Sequence, residues 1–460
     1  VQEKCGAGLA GQLVELCAST NWDDLPSSAR EYTKLLIMDT LGVALPGRQA
    51  TGCPQVSELA ARWGGEPLST LLFAGKKISP PLAAMANGTM MHALDFDDTL
   101  DASALHCMVS VLPSALAVAE AEGPVDGKSF ITAIALGVEV ICRVSLGVNT
   151  PLSWIRTATC GSFGAAATAA KLLGLDQDGL HNALGVVYAQ TAGNAQGLIE
   201  GRLIKRMQPG FAAQAGVEAA YLAQAGITGG REFLEGPYGY YNLYEKGLYD
   251  PAPVVQGLGQ DFMINDLSIK PYPCCRMTHS SIDAALELRP GLEGRLEDIA
   301  AIEVSASSMV AEMVGKPLVL GDNPQVDAQF SVPYTVAAAL ARGDVFLGDF
   351  EIDAIKEPAV LELARKVTVT TDPLVPAKDL LRADMKVELA GGERREALIE
   401  APLGNPARPM GQAMCRAKFA KCLAYSGLET DPARVEEMLD FITDLDQAKD
   451  AGHLAVLVGG

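Results

Sequence analysis

Through roughly the first 265 residues, apolar positions recur every three or four places, with short Gly- and Pro-rich connections between the runs. Phe130, Ile134, Val138 and Ile141 mark one face of a helix over 129–144, with Glu139 and Arg143 as an i,i+4 pair. Ser28-x-x-Glu31 predicts a capping box, opening a helix that carries Tyr32, Leu35, Leu36 and Met38 and stops near Pro46-Gly47. Leu82–Leu94 and Val109–Ala119 also read as helices. So do Gly161–Leu173, rich in small residues that allow close helix contact, and Phe211–Gln224. After Lys270 the period changes to two. Ala301–Ala306, Lys366–Thr370 and Met385–Leu389 alternate, and Gly391-Gly392 predicts a hairpin turn into Arg395–Ile399. Helices at Ser281–Leu288 and Ser331–Ala341 lie between these strands, and helical spacing returns from about residue 402. The pattern predicts a mostly α chain. Residues 1–266 and 402–460 form a large all-helical domain, and residues 267–401 form a smaller inserted α+β domain.

Composition narrows the function. The 460 residues are 49% hydrophobic with 6% aromatics, which favours helices around a large core. A net charge of -20 without any basic run argues against nucleic acid and anionic membrane as partners. The ten cysteines form no CxxC and no Cys/His spacing that suggests zinc, so they read as reduced thiols of a cytoplasmic protein. No apolar run approaching the roughly 20 residues of a membrane span is expected. Gly6-Ala-Gly-Leu-Ala-Gly11 has the spacing of a dinucleotide loop, but too few residues precede it for a βαβ start.

The densest chemistry lies at Met91-His-Ala-Leu-Asp-Phe-Asp-Asp-Thr99. Asp95, Asp97 and Asp98 are followed by Asp101 and flanked by His92 and His106. Like charges this close shift one another's pKa values, which marks a candidate site. Three other readings are open. DxDxT is a phosphatase nucleophile motif, but it needs a buried parallel strand before it. An aspartate cluster could hold magnesium. The plainest alternative is a capped helix end with solvated aspartates. Lys205-Arg-Met-Gln-Pro-Gly210 puts Lys205 and Arg206 at a helix start, after Arg202, which suits a carboxylate; a solvated basic loop is the alternative. Lys270-Pro-Tyr-Pro-Cys-Cys-Arg-Met-Thr-His279 gathers Lys270, Tyr272, Arg276 and His279 in ten positions. Tyr334, in the first turn of a helix, is a further candidate or a packed aromatic.

These segments, with Phe163-Gly-Ala-Ala-Ala, Phe233-Leu-Glu-Gly, Gly404-Asn-Pro and Lys418-Phe419, resemble the MmgE/PrpD family in the same order along the chain. That family includes 2-methylcitrate dehydratases, cis-aconitate decarboxylases and iminodisuccinate epimerases. The resemblance implies an α+β lid inserted in the helical domain, a homodimer, a site in the interdomain cleft, and no metal or organic cofactor. Its functional set falls on Asp95, Thr99, His106, Lys205, Lys270, His279 and Tyr334. Two departures stand out: Ile155 and Gln208 occupy positions where the family usually has histidine.

The family's shared step makes or quenches a carbanion beside a carboxylate, which demands fixed positive charge and a base. Lys205, Lys270, Arg206 and Arg276 can supply the charge. His106 and Lys270 are the expected proton-transfer pair, Lys205 and Arg276 the carboxylate clamps and Asp95 the orienting group. Thr99, Tyr334, Arg206 and His279 complete the substrate contacts. Loss of two histidines favours the reaction that needs no leaving group. The expectation is therefore a cofactor-independent epimerase of an aminopolycarboxylate such as iminodisuccinate. A 2-methylcitrate-type dehydratase, a cis-aconitate-type decarboxylase, a non-catalytic polycarboxylate-binding protein and a metal enzyme are the alternatives.

Overall fold

The computed structural model describes residues 8–151 and 154–459; Cys5, Gly6 and Ala7 lie outside them. Two units are present, one running to Leu267 and resuming at Gly411, the other spanning Ser268–Met410.

The first unit is helical, apart from a short antiparallel hairpin, β1 (Ser69–Leu71) with β2 (Lys76–Ile78), that the helical spacing did not predict. Its centre is the helix Ile204–Gln224, which lies against Arg156–Leu172 and Pro80–His92. Small residues permit these approaches: a Cβ on Gly210 would stand 2.4 Å from the Met85 carbonyl oxygen, and one on Gly216 would stand 2.6 Å from the Ala166 nitrogen. The Gly210 contact has a consequence for chemistry. It draws the first turn of Ile204–Gln224, with Lys205, to the C-terminal end of Pro80–His92, where the aspartate-rich segment begins.

Two sequence expectations are corrected here. The capping box at Ser28 does not form: the helix Ser27–Gly47 starts from Pro26 in extended conformation, and no side chain caps it. Proline's fixed φ already sets the helix entry, and the Ser28 hydroxyl accepts from Asn265 instead. One helix, Gly127–Leu146, is long and apolar enough to span a membrane. It is buried inside this unit, and its Glu139–Arg143 pair is buried with it. Arg143 donates to the carbonyls of Gln256 (2.7 Å) and Asp261 (3.0 Å), tying the 253–263 segment to that helix.

The second unit is built on a four-stranded sheet, order β4-β3-β5-β6, from β3 (Ile299–Ala306), β4 (Val367–Thr371), β5 (Ala383–Leu389) and β6 (Arg394–Ile399). β3 pairs parallel with β4 and antiparallel with β5. The β5–β6 turn holds Gly392 at φ +83°, a conformation that glycine adopts freely. Alternate residues Ile302, Val304, Met385 and Val387 face a core shared with the helices His279–Leu288 and Val332–Arg342.

Candidate active site

In the first unit the chain leaves Pro80–His92 and turns at Asp95, which is held at φ +54°, a left-handed conformation uncommon outside glycine. Three carboxylates then diverge to three partners. Asp95 Oδ1 lies 3.4 Å from Lys205 Nζ and 3.9 Å from His106 Nε2. Asp97 Oδ2 lies 2.9 Å from both His92 Nδ1 and His106 Nδ1. Asp98 accepts from the backbone N–H groups of Cys107 (2.9 Å) and Met108 (3.0 Å), capping the helix Met108–Glu122 from outside its own sequence. The cluster is therefore not a solvated helix end, since Asp97 and Asp98 are fully buried.

His106 is delivered by a pinched loop. Leu100 and Leu105 bridge across it, with Leu100 N–H donating 2.7 Å to the Leu105 carbonyl, and Thr157 Oγ1 accepts from the His106 N–H at 3.2 Å. Thr99 sits buried at the base of this loop. His106 Nδ1 also lies 2.6 Å from the Asp98 carbonyl oxygen. A carbonyl cannot donate, so Nδ1 carries the hydrogen and Nε2, facing Asp95, is left to exchange protons.

Electrostatics separates the acids. Burial opposes charge on Asp97, but the imidazoles of His106 and His92 outweigh it and hold its carboxyl well below the usual range. Burial, reinforced by the Asp97 charge, pushes Asp98 up to about 7. Burial, then the Lys205 charge, pushes His92 down to about 4 against the attraction of Asp97. His92, Asp97 and His106 offer ligand atoms within 4.8 Å of one another, a spacing open to a cation. The hydrogen that the Asp98 carbonyl requires on His106 Nδ1 takes that atom out of a ligand role.

Arg206 donates to the Thr51 carbonyl at 3.2 Å. The two departures from the family pattern have structural explanations. Gln208 Oε1 accepts from Asn194 N–H (2.7 Å) and its Nε2 donates to the Asn194 carbonyl (3.1 Å), so the side chain splints that loop. Ile155 packs with Ala158 and Ala195. Neither position subtracts from the His106 centre.

Lys270, Arg276, His279 and Tyr334 belong to the second unit, and all four are buried there. Arg276 Nη1 lies 3.2 Å from His279 Nδ1 and Nη2 donates 3.1 Å to Ser268 Oγ. His279 Nε2 donates to the Cys274 carbonyl at 3.3 Å, which leaves Nδ1 as the acceptor. The Tyr334 hydroxyl donates to the Asp349 carbonyl, and its ring packs against Phe350.

Sequence reasoning gave no role to Asp39 and Lys418. Lys418 falls on the apolar stripe of the helix Gln412–Ser426 with Cys415, Phe419 and Cys422, and a lysine on such a stripe signals a buried partner. Here the partner is Asp39 Oδ1, at 2.6 Å.

The chain matches the MmgE/PrpD N-terminal domain over residues 11–250 and the C-terminal domain over 272–443. It is 28% identical to the cis-aconitate decarboxylase-like protein oryM of Aspergillus oryzae, with 97% of each chain covered. It is 28% identical to the cis-aconitate decarboxylase of Aspergillus terreus over 98% of this chain and 96% of that one. The human cis-aconitate decarboxylase is 26% identical over 94% of this chain and 90% of its own. These relatives overturn the epimerase expectation. It rested on two missing histidines, and Gln208 and Ile155 do packing and splinting that is compatible with either chemistry. By its two matched domains the chain belongs to the MmgE/PrpD family.

Proposed function

We propose that this protein is a lyase that decarboxylates cis-aconitate or a close unsaturated tricarboxylate. One observation carries the reading: relatives named as cis-aconitate decarboxylases align over more than nine-tenths of this chain. The His106 centre has the chemistry such a step needs. Loss of carbon dioxide breaks one C–C bond and leaves its electron pair on the substrate, delocalised over the remaining double bond and carboxylate. A proton must then reach carbon. In this reading His106 Nε2–H delivers it, and Lys205 offsets the charge that builds on the neighbouring carboxylate. Asp95, bonded to Lys205 and facing His106, keeps the two groups in register. Lys270, Arg276 and His279 are proposed carboxylate and proton-transfer partners, with Thr99, Arg206 and Tyr334 in supporting contacts. The α+β unit is proposed as a lid, the protein as a homodimer, and the activity as independent of metal or organic cofactor.

The test is proton NMR of the chelator-treated protein with cis-aconitate and, separately, 2-methylcitrate. Vinyl signals of itaconate with release of carbon dioxide are expected from the first. Inert cis-aconitate beside dehydration of 2-methylcitrate would replace the decarboxylase by the family's dehydratase reaction.

A further inference from the structure

We infer that Asp97 is the positioning residue of the proton-transfer centre: its charge lies against the His106 nitrogen that the Asp98 carbonyl holds as N–H, and it stabilises the imidazolium formed when Nε2 is protonated. Asp97 is fully buried, and its two carboxylate oxygens are used unequally. Oδ2 meets the Nδ1 atoms of both His92 and His106, while Oδ1 is buried with no hydrogen-bond partner among the described residues. A buried carboxylate with an unsatisfied oxygen is costly, so it makes poor sense as a purely structural link. Its charge has a use only where a counter-charge can form beside it.

Two imidazoles compete for that role, and the geometry distinguishes them. His92 is 1% exposed on the helix Pro80–His92, and its ring stands edge-on to His106 with centroids 4.9 Å apart. It is pushed down to about 4, so at neutral pH it donates one hydrogen to Oδ2 without cancelling the Asp97 charge. His106 is the more accessible of the two, with 14% of its side chain exposed. Its Nδ1–H goes to the Asp98 carbonyl at 2.6 Å, and Asp97 Oδ2 lies 2.9 Å from the same nitrogen. The groups placed against His106 set the balance. Asp95 lies 3.9 Å from Nε2, and Lys205 reaches it through Asp95. The Asp98 carboxylate is committed to the N–H groups of Cys107 and Met108, and Thr157, on the helix Arg156–Leu172, contributes a neutral hydroxyl. Asp97 is thus the carboxylate in direct contact with the nitrogen that does not react, the arrangement by which a buried acid orients a histidine base.

The inference needs no substrate, so it stands or falls apart from the decarboxylase reading. The chain has five histidines, which makes selective ¹⁵N-histidine labelling readable, with His106→Gln to assign the signal. In the wild-type protein neutral His106 is expected as the Nδ1–H tautomer. In Asp97→Asn its titration midpoint is expected to fall by about one pH unit or more, as loss of an adjacent opposite charge requires. A purely structural Asp97 would leave that midpoint in place. An unmoved midpoint in folded Asp97→Asn, or an Nε2–H tautomer in the wild type, overturns the inference. If Asp97→Asn does not fold, Asp97→Ser takes its place with the same readout, and an unmoved midpoint there overturns the inference.

Discussion

Lys418 holds its ammonium 3.8 Å above the centroid of the Phe96 ring and donates 2.9 Å to the Phe96 carbonyl oxygen. Phe96 lies between Asp95 and Asp97, so one buried lysine grips the backbone that aims both carboxylates. Its charge is balanced by Asp39, 2.6 Å away on the helix Ser27–Gly47. Removing one member of a buried pair strands the other charge, at a cost of roughly 3–5 kcal/mol. Lys418→Met should therefore lose about that much in urea denaturation and lower kcat as the loop relaxes. Lys418→Met with Asp39→Leu should recover most of the stability but not the rate. Full recovery of rate in the double variant would deny the lysine its grip on the loop.

His106→Gln keeps a side chain that can donate to Asp97 but cannot shuttle a proton. Its kcat on cis-aconitate should fall by about 10²–10⁴-fold, the usual worth of a positioned acid or base, with the thermal midpoint little changed. Stopped assays with quantified itaconate read the rate. Turnover within a few-fold of wild type would move the proton-transfer role elsewhere.

Gln208 is assigned to splinting, and that assignment has its own signature. Gln208→Ala removes two hydrogen bonds to Asn194 and should cost about 1–3 kcal/mol. Its pH–rate profile should keep the wild-type limbs, because no titrating group has been lost. A missing limb would place position 208 in the chemistry after all.

The sequence carried the regular elements well where local pattern and packing agree. Alternation at 385–389 and 395–399 around Gly391-Gly392 corresponds to β5, β6 and their turn, and the 129–144 face lies within Gly127–Leu146. The β1–β2 hairpin was missed because its strands are three residues long, too short for a period to register. At the site, the density of acid was legible but the division of labour was not. Nothing local says that Asp98 caps a helix beginning ten residues later, or that Asp97 takes two histidines from opposite sides. Gln208 and Ile155 misled for a related reason. Residue type at a site position was read as chemistry, when the partner that uses Gln208 is a backbone group at Asn194 that no spacing rule reveals.

The buried groups around His106 also give stability a pH signature with two opposite slopes. His92 is lowered from 6.5 to about 4 in the folded chain, so between those values the unfolded chain binds a proton that the folded chain refuses. Its contribution is present above 6.5 and is lost as pH falls towards 4, by up to roughly 3 kcal/mol. Asp98 has the reverse sign. It is raised from 3.8 to about 7, so the folded chain keeps a proton that the unfolded chain releases. Its contribution is full below 3.8 and is lost as pH rises through about 7. Urea midpoints of wild type, His92→Gln and Asp98→Asn between pH 4.5 and 7.5 separate the two. Relative to wild type, His92→Gln should gain stability as pH falls, and Asp98→Asn should gain it as pH rises. The slopes are the readout, since each substitution also shifts the whole curve by the hydrogen bonds it alters. Two flat differences would mean that these groups titrate alike in the folded and unfolded chain, and that burial around His106 is looser than the geometry described above.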